Sequence, residues 1–214
     1  MRKVLLVFLL IGTCLGAGAQ KKAHWNADPV NHLDFYYNYS LGTPEGLSPS
    51  GWGFSLPISQ IQYLSADERA MLTIDLVTLS VDFLYPQKGH LFEENGDIIP
   101  APASYSKANS RIYTLGMTVP IGYTHKFVNG WGVGISIAPG IDGASYQNSY
   151  VEGDTRHDHN FHKNCGNIGF RLDATASVWY HGLGLNFRYK PFSYVNQGAK
   201  KAGGMLSAGI MLRY

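Results

Sequence analysis

Apolar residues recur at every second position through most of this chain. The pattern is plainest at its end, "GGMLSAGIMLRY". There Leu206, Ala208, Ile210, Leu212 and Tyr214 share one parity, and Met205, Ser207, Gly209, Met211 and Arg213 share the other. A period of two is the strand signal, because successive side chains of an extended chain point to opposite faces. Seven further segments carry it. Leu33, Phe35, Tyr37, Tyr39 and Leu41 line one face of 33–42, and Trp52, Phe54, Leu56 and Ile58 one face of about 51–63. Val77, Leu79, Val81, Phe83 and Tyr85 do so in about 70–85, and Tyr113, Leu115, Met117, Val119, Ile121 and Tyr123 in about 110–126. Trp131, Val133, Ile135, Ile137 and Ile141 mark about 131–144, and Ile168, Phe170, Leu172, Ala174, Ala176, Val178 and Tyr180 mark about 166–180. Leu183, Leu185, Phe187 and Tyr189 mark about 183–193.

The alternation slips at two places. Ile61 and Tyr63 fall on the wrong parity of the second segment, and Leu72, Ile74 and Leu76 on that of the third. Both slips flank the connector "SADERA", so bulges, or an apolar plug at that end, are expected there. Pro57, Pro120 and Pro139 lie inside strand segments and each removes a ladder donor. Gly132, Gly134 and Gly140 stand on the polar parity and leave room there for Trp179 and Tyr36.

Long and short connectors alternate. "SADER", 128–130 and His181-Gly182 are short; 86–109 and 145–165 are long. That alternation predicts an all-β, eight-stranded antiparallel up-and-down transmembrane β-barrel with extracellular loops and periplasmic turns, spanning 32–214. Most segments reach the 9–11 residues that a tilted spanning strand needs, whereas strands of globular proteins average about 5–6. One face of each is apolar. The other carries Asp34, Asp82, Asp142, Arg171, Asp173, Arg188, Lys190 and Arg213, which are expected to form an ion-pair network inside the lumen. A soluble lipocalin-like barrel would reverse those faces. Trp52, Tyr85, Tyr113, Tyr123, Trp131, Tyr180, Tyr189 and Tyr214 sit near strand ends, where interfacial girdles belong.

Composition agrees with this reading: 45% of residues are apolar but only 15% charged, against roughly 25% charged in a soluble domain. The opening "MRKVLLVFLLIGTCLGAGAQ" has a basic start, an apolar run from Val4 to Leu15 and the small-residue pattern Ala17-Gly18-Ala19. It predicts a signal peptide over 1–19, followed by a flexible leader over 20–31. Lipidation at Cys14 is the competing reading of this segment. Loss of Arg2 and Lys3 with the signal brings the 17 basic residues level with the 15 acidic ones. No basic stripe remains, and nucleic acid is not an expected partner. Cys165 is then the one cysteine left, so no internal disulfide is expected.

An export signal ending in Ala-Gln, eight amphipathic strands and a terminal aromatic residue resemble the Bacteroidetes-type outer-membrane β-barrel families. "TVPIGYTHKF" followed by "GWGVGISIAPGI" is similar to a hairpin those families carry: a Pro-containing strand with an aromatic and basic end, then a Gly-rich return. The resemblance implies an outer-membrane location and recognition of the last strand by the barrel-assembly machinery, with Tyr214 as the terminal signal. It implies no particular activity.

Candidate chemistry is sparse. A barrel of eight strands is filled by its own side chains, so a wide solute channel is not expected. His157, Asp158, His159, His162 and Cys165 lie in one stretch, "RHDHNFHKNC", with imidazole and thiol groups that suit a transition metal, but their spacing matches no closed zinc pattern. Ser145, Ser149, Glu152, Asp154, His157 and His159 cluster in the same region and would be the residues of an enzyme acting on lipid A. The reading preferred to both is a structural or surface-interaction barrel. It needs no cofactor, sits in outer-membrane lipid, and meets an extracellular ligand or envelope protein through its long loops.

Overall fold

The alternating segments fold into extended staves that are hydrogen-bonded to neighbours on both sides. The computed structural model describes residues 23–29, 32–41, 50–86, 88–92, 98–161, 169–191 and 204–213. Their strands are β1 (His24–Pro29), β2 (His32–Ser40), β3 (Ser50–Leu64), β4 (Ala70–Tyr85), β5 (His90–Phe92), β6 (Ile98–Pro100) and β7 (Tyr105–Thr118). Then come β8 (Ile121–Lys126), β9 (Trp131–Glu152), β10 (Thr155–Phe161), β11 (Gly169–Tyr180), β12 (Leu183–Lys190) and β13 (Met205–Arg213). The described residues contain no helix.

Eight staves close a ring in the order β2, β3, β4, β7 with β8, β9, β11, β12, β13 and back to β2. Every pairing is antiparallel. Closure runs from Met205 opposite Ser40 to Arg213 opposite His32. A closed ring leaves no unpaired sheet edge, the one condition under which strands can cross hydrocarbon.

Proline divides one stave into β7 and β8, and the ladder absorbs it. The Asp75 amide donates to the Pro120 carbonyl at 2.9 Å on one side, and the Val119 amide donates to the Pro139 carbonyl at 2.9 Å on the other. The two parity slips are bulges. The β3–β4 register shifts between Pro57 and Gln60, where Ser59 pairs with Val77 and Gln60 already with Asp75. The extra residues Ile58 on β3 and Leu76 on β4 both remain exposed. Beyond the bulge the parities invert together, so Ile61, Tyr63, Leu72 and Ile74 stay off the buried face while Gln60, Gln62, Thr73 and Asp75 turn inward.

The end that holds both barrel termini, at His32 and Arg213, also has the short turns. The tightest is His181-Gly182, with φ of 46° and 93°, the paired left-handed geometry of a two-residue hairpin turn. Short turns are expected at the periplasmic end of an outer-membrane barrel, so this end is termed periplasmic and the opposite one extracellular. β1 falls within the expected flexible leader yet is paired, from His24 opposite Leu64 to Pro29 opposite Ser59. It prolongs the β2 stave along β3.

The long connectors also depart from plain loops. β9 continues to Glu152 and turns back through β10, so most of 145–165 is a hairpin. Within 86–109, β5 and β6 pair and fold into the extracellular mouth. Phe92 packs with Leu84, Ile112, Tyr146 and Met205 in a buried apolar cluster. An apolar plug therefore exists, at the opposite end from "SADERA". The Asn148 side chain locks it in place, accepting from the Phe92 amide at 3.0 Å and donating to the Phe92 carbonyl at 2.8 Å.

Candidate functional site

The barrel is inside out relative to a soluble protein. Leu115, Ile135, Phe170, Leu185 and Ile210 are each more than half exposed, while Arg171 and Lys190 are 1% exposed. Aromatic residues bound this apolar belt at both ends. Tyr37 packs edge-on to Trp52 at 5.1 Å and Phe83 to Tyr113 at 5.7 Å on the extracellular side; Trp25 meets Tyr63 at 5.0 Å and Trp131 meets Tyr180 at 5.1 Å on the periplasmic side. No helix is long and apolar enough to cross a membrane among the described residues, and the strands supply the crossing instead.

Inside, alternate residues of opposed staves bring charges together. Asp82 on β4 receives the Lys190 ammonium of β12 at 2.7 Å, the Asn38 amide of β2 at 3.0 Å and the Thr114 hydroxyl at 3.0 Å. Arg171 binds Asp173 through Nε at 3.0 Å and Nη2 at 2.7 Å, and reaches across to the Ser80 hydroxyl. Arg188 lies 3.8 Å from Asp173 and 3.9 Å from Asp34, donates to the Ser55 hydroxyl at 2.9 Å, and stacks over the Tyr36 ring at 4.2 Å. Buried charges of this kind are tolerated only when paired and hydrogen-bonded. Asp142 is buried on β9, the stave that pairs with the one carrying Arg171. Arg213 belongs to the periplasmic rim, with its guanidinium 4.4 Å above the Trp179 ring. Glycines open the space: a Cβ at Gly132 would overlap the Trp179 indole, one at Gly53 the Tyr36 ring, and one at Gly116 the Arg171 guanidinium.

The strand pattern concealed one interior acid. Asp75 shares the parity of Val77 in the sequence but is buried, and it accepts from the Gln60 amide. Its inward turn follows from the bulge between the two halves of β4, which the parity slip signalled without fixing its position. Below Arg188 a polar cavity of about 90 Å³ is lined by Asp34, Ser55, Asp75, Thr175, Asn186 and Arg188 among others. Arg188 Nε and Nη1, Asp34 Oδ1 and Asn186 Oδ1 have no hydrogen-bond partner among the described residues, and all three side chains face this cavity. Its volume is that of a few waters, which suits the solvation of such atoms.

Above the belt, β7, β9 and β10 continue as a three-stranded projection. Its inner face is aromatic. Tyr105 stacks on Tyr150 at 4.1 Å and 11°, and His157 stacks on Tyr150 at 5.0 Å and 21°. The His157 and His159 rings lie 6.2 Å apart and nearly parallel. Glu152 lies 3.7 Å from His157. Parallel stacking does not point ring nitrogens at a common centre, and among the described residues no group of three His, Cys, Asp or Glu side chains could hold a metal ion. His162, Cys165 and Tyr214 lie outside the described residues. The lipid A reading needs a serine within reach of a histidine. In register, however, Ser149 pairs with Asp158 and Ser145 with Tyr113 on the outward face, whereas His157 pairs with Tyr150 on the inner one. Asp154 is in the tight turn between β9 and β10.

Outside the membrane belt, two exposed carboxyls are held below the usual carboxylate range. Asp67 in the β3–β4 turn accepts from the Ser65 hydroxyl at 2.5 Å and the Arg69 amide at 3.3 Å. Asp158 is lowered by a hydrogen bond from Ser149 and by Arg156, whose Nε and Nη2 lie 3.0 and 3.3 Å from its oxygens.

No protein-family model matches the chain, and no curated protein is similar to it. Solved structures similar to it include small outer-membrane barrels. Neisserial surface protein A is 13% identical over 88% of this chain and 99% of its own, with a TM-score of 0.44. The attachment invasion locus protein Ail of Yersinia pestis is 9% identical over 86% and 97%, with a TM-score of 0.40. The N-terminal barrel domain of Pseudomonas aeruginosa OprF is 10% identical over 87% and 100%, with a TM-score of 0.29. The chain's own geometry is a sealed ring of eight staves, apolar outside, ionic inside and ringed twice by aromatics. Those are the properties of the barrels that bacteria build into their outer membranes, and this chain is an eight-stranded outer-membrane β-barrel protein.

Proposed function

We propose that this protein is a closed, non-conducting barrel that holds a rigid recognition element at the cell surface. The observation that carries this reading is the projection itself. A flexible loop would need only to join β9 to β11, yet the chain extends the β9 ladder with β10 up to Glu152 and layers Tyr105, Tyr150 and His157 on one face. These rings are half-buried, and partly accessible aromatic faces on a rigid scaffold are common anchors of protein and ligand recognition. The plugged mouth and ion-paired lumen argue against solute passage. The partner on this reading is an extracellular ligand or envelope protein.

Within outer-membrane barrels, we assign the chain to the Bacteroidetes-type families, on the hairpin "TVPIGYTHKF" and "GWGVGISIAPGI". Export through residues 1–19 and delivery to the assembly machinery through the strand ending in Tyr214 belong to the same proposal.

The test is to replace residues 147–160 by a two-residue Asn-Gly turn and compare cells bearing either form for aggregation and for binding to immobilised glycans and envelope proteins. Heat-modifiable migration on gels verifies that both barrels are folded. Binding lost with the projection supports the reading. Identical behaviour of the two strains in every assay contradicts it.

A further inference from the structure

The outward face of the same projection has a different chemistry. Lys107 and Arg111 on β7 and Arg156 on β10 line a shallow groove of about 250 Å³, together with Asn109, Ser149 and Asp158. Three bases face one acid. Arg156 is engaged by Asp158 through two contacts, at 3.0 and 3.3 Å.

The depth of the groove is set by the strand that carries it. Leu115 and Met117 on β7 are exposed in the apolar belt, and Tyr113 closes that belt against Phe83. Arg111 follows on the same face, about 7 Å along the strand from Tyr113 at the usual rise per residue. Lys107 stands farther out, where β7 is bulged between Ser106 and Asn109. Its φ of 52° is a left-handed conformation that a lysine adopts at a cost. The bulge sets this cation in the groove beside Asn109 and Arg111. The groove therefore begins where the hydrocarbon ends, and it faces the surrounding lipid rather than the mouth of the barrel.

We propose that this groove binds the phosphorylated sugar headgroup of an outer-leaflet glycolipid. Charge complementarity selects an anion. Guanidinium and ammonium groups are the standard partners of phosphate, and basic clusters beside a membrane capture anionic headgroups. Asn109 adds a neutral amide suited to sugar hydroxyls, and Ser149, whose hydroxyl donates to Asp158, adds an acceptor. A lipid reaches the site by lateral diffusion, with its acyl chains along Leu115 and Met117 below. The inference uses the orientation of the barrel and the outward face only; it does not depend on recognition by the inner aromatic face.

Native mass spectrometry of the full-length processed protein, folded in detergent, tests this with three probes: bisphosphorylated lipid A, its dephosphorylated form and inorganic phosphate. The wild-type protein is expected to retain one bisphosphorylated lipid A, and to retain the dephosphorylated form at least about tenfold less well. The variant K107Q/R111Q is expected to lose that preference, while R69Q at the opposite rim keeps it. Equal retention of the two glycolipids by the wild-type protein overturns the proposal without recourse to any variant. So does a preference that survives in folded K107Q/R111Q. Competition by millimolar inorganic phosphate as effective as that by the glycolipid also overturns it, because the site would then be a free-anion site.

Discussion

Lys190 on β12 and Asp82 on β4 meet across the full width of the barrel, Nζ to Oδ2 at 2.7 Å, both 1% exposed. Their staves are four apart in either direction around the ring, so this pair ties opposite walls together. Asn38 and Thr114 use the remaining acceptor capacity of the same carboxylate, which makes Asp82 the hub of the upper lumen.

Removing the hub leaves a buried ammonium without its counter-charge. Asp82→Ala should therefore destabilise the barrel by about 3–5 kcal/mol, and the double variant Asp82→Leu/Lys190→Met should recover much of that loss. Urea unfolding in lipid vesicles, followed by tryptophan fluorescence, measures both. Strictly additive losses would show that the two groups do not act as a pair.

Gly132 has no side chain because the Trp179 indole lies where a Cβ would be. Gly132→Ala should cost about 1–3 kcal/mol by overpacking, and it should also disturb the Arg213–Trp179 stack. Gly143, where a Cβ meets nothing within 4 Å, is the control, and Gly143→Ala should be close to neutral in the same unfolding assay.

The ring of staves was legible because alternation survives in every long segment. A lipid-facing row and a lumen-facing row differ in each residue pair, as in Phe187 against Arg188. What sequence could not place was the break in that alternation. Nothing about Ile58 or Leu76 marks it as the extra residue, so the slipped parity alone assigns no face to Asp75, Gln60 or Gln62. The extent of the projection was obscured for a related reason. Above the belt the inner face of β9 and β10 mixes polar and aromatic groups, with Asn148 buried against the plug, so Asn148, Tyr150 and His157 carry no apolar period. β5 is only three residues long, too short for a pattern, although its Phe92 plugs the mouth.

At Asp158 the sign of the pH effect follows from the bonds it accepts. Ser149 and Arg156 favour its ionised form in the folded hairpin and hold its carboxyl below the usual range. Their contribution is complete above the ordinary carboxylate value near 3.9 and disappears as pH falls through the lower folded value. Carbon NMR of the side-chain carboxyl should give a midpoint under about 3.9, and Ser149→Ala should raise it. A midpoint unchanged by that substitution would remove Ser149 as the cause.

The lumen should not conduct. Its upper part is crossed by Asp82–Lys190 and Arg171–Asp173, its mouth is plugged by Phe92, and its cavity of about 90 Å³ lies below them. Planar bilayers containing the purified protein should show no stable open-channel steps. Sustained porin-like conductance would require a different packing of these groups.

The most direct measurement concerns which way the two rows of each strand face. Nitroxide labels placed one at a time at Val133, Gly134, Ile135, Ser136 and Ile137, in a Cys165→Ser background in phospholipid vesicles, report contact with dissolved oxygen in lipid and with a water-soluble nickel complex. Labels at Val133, Ile135 and Ile137 should be reached by oxygen and shielded from nickel, and labels at Gly134 and Ser136 should be shielded from the lipid. Nickel access at the apolar positions, or the same accessibility at all five, would contradict an apolar wall turned to the membrane around an ionic interior.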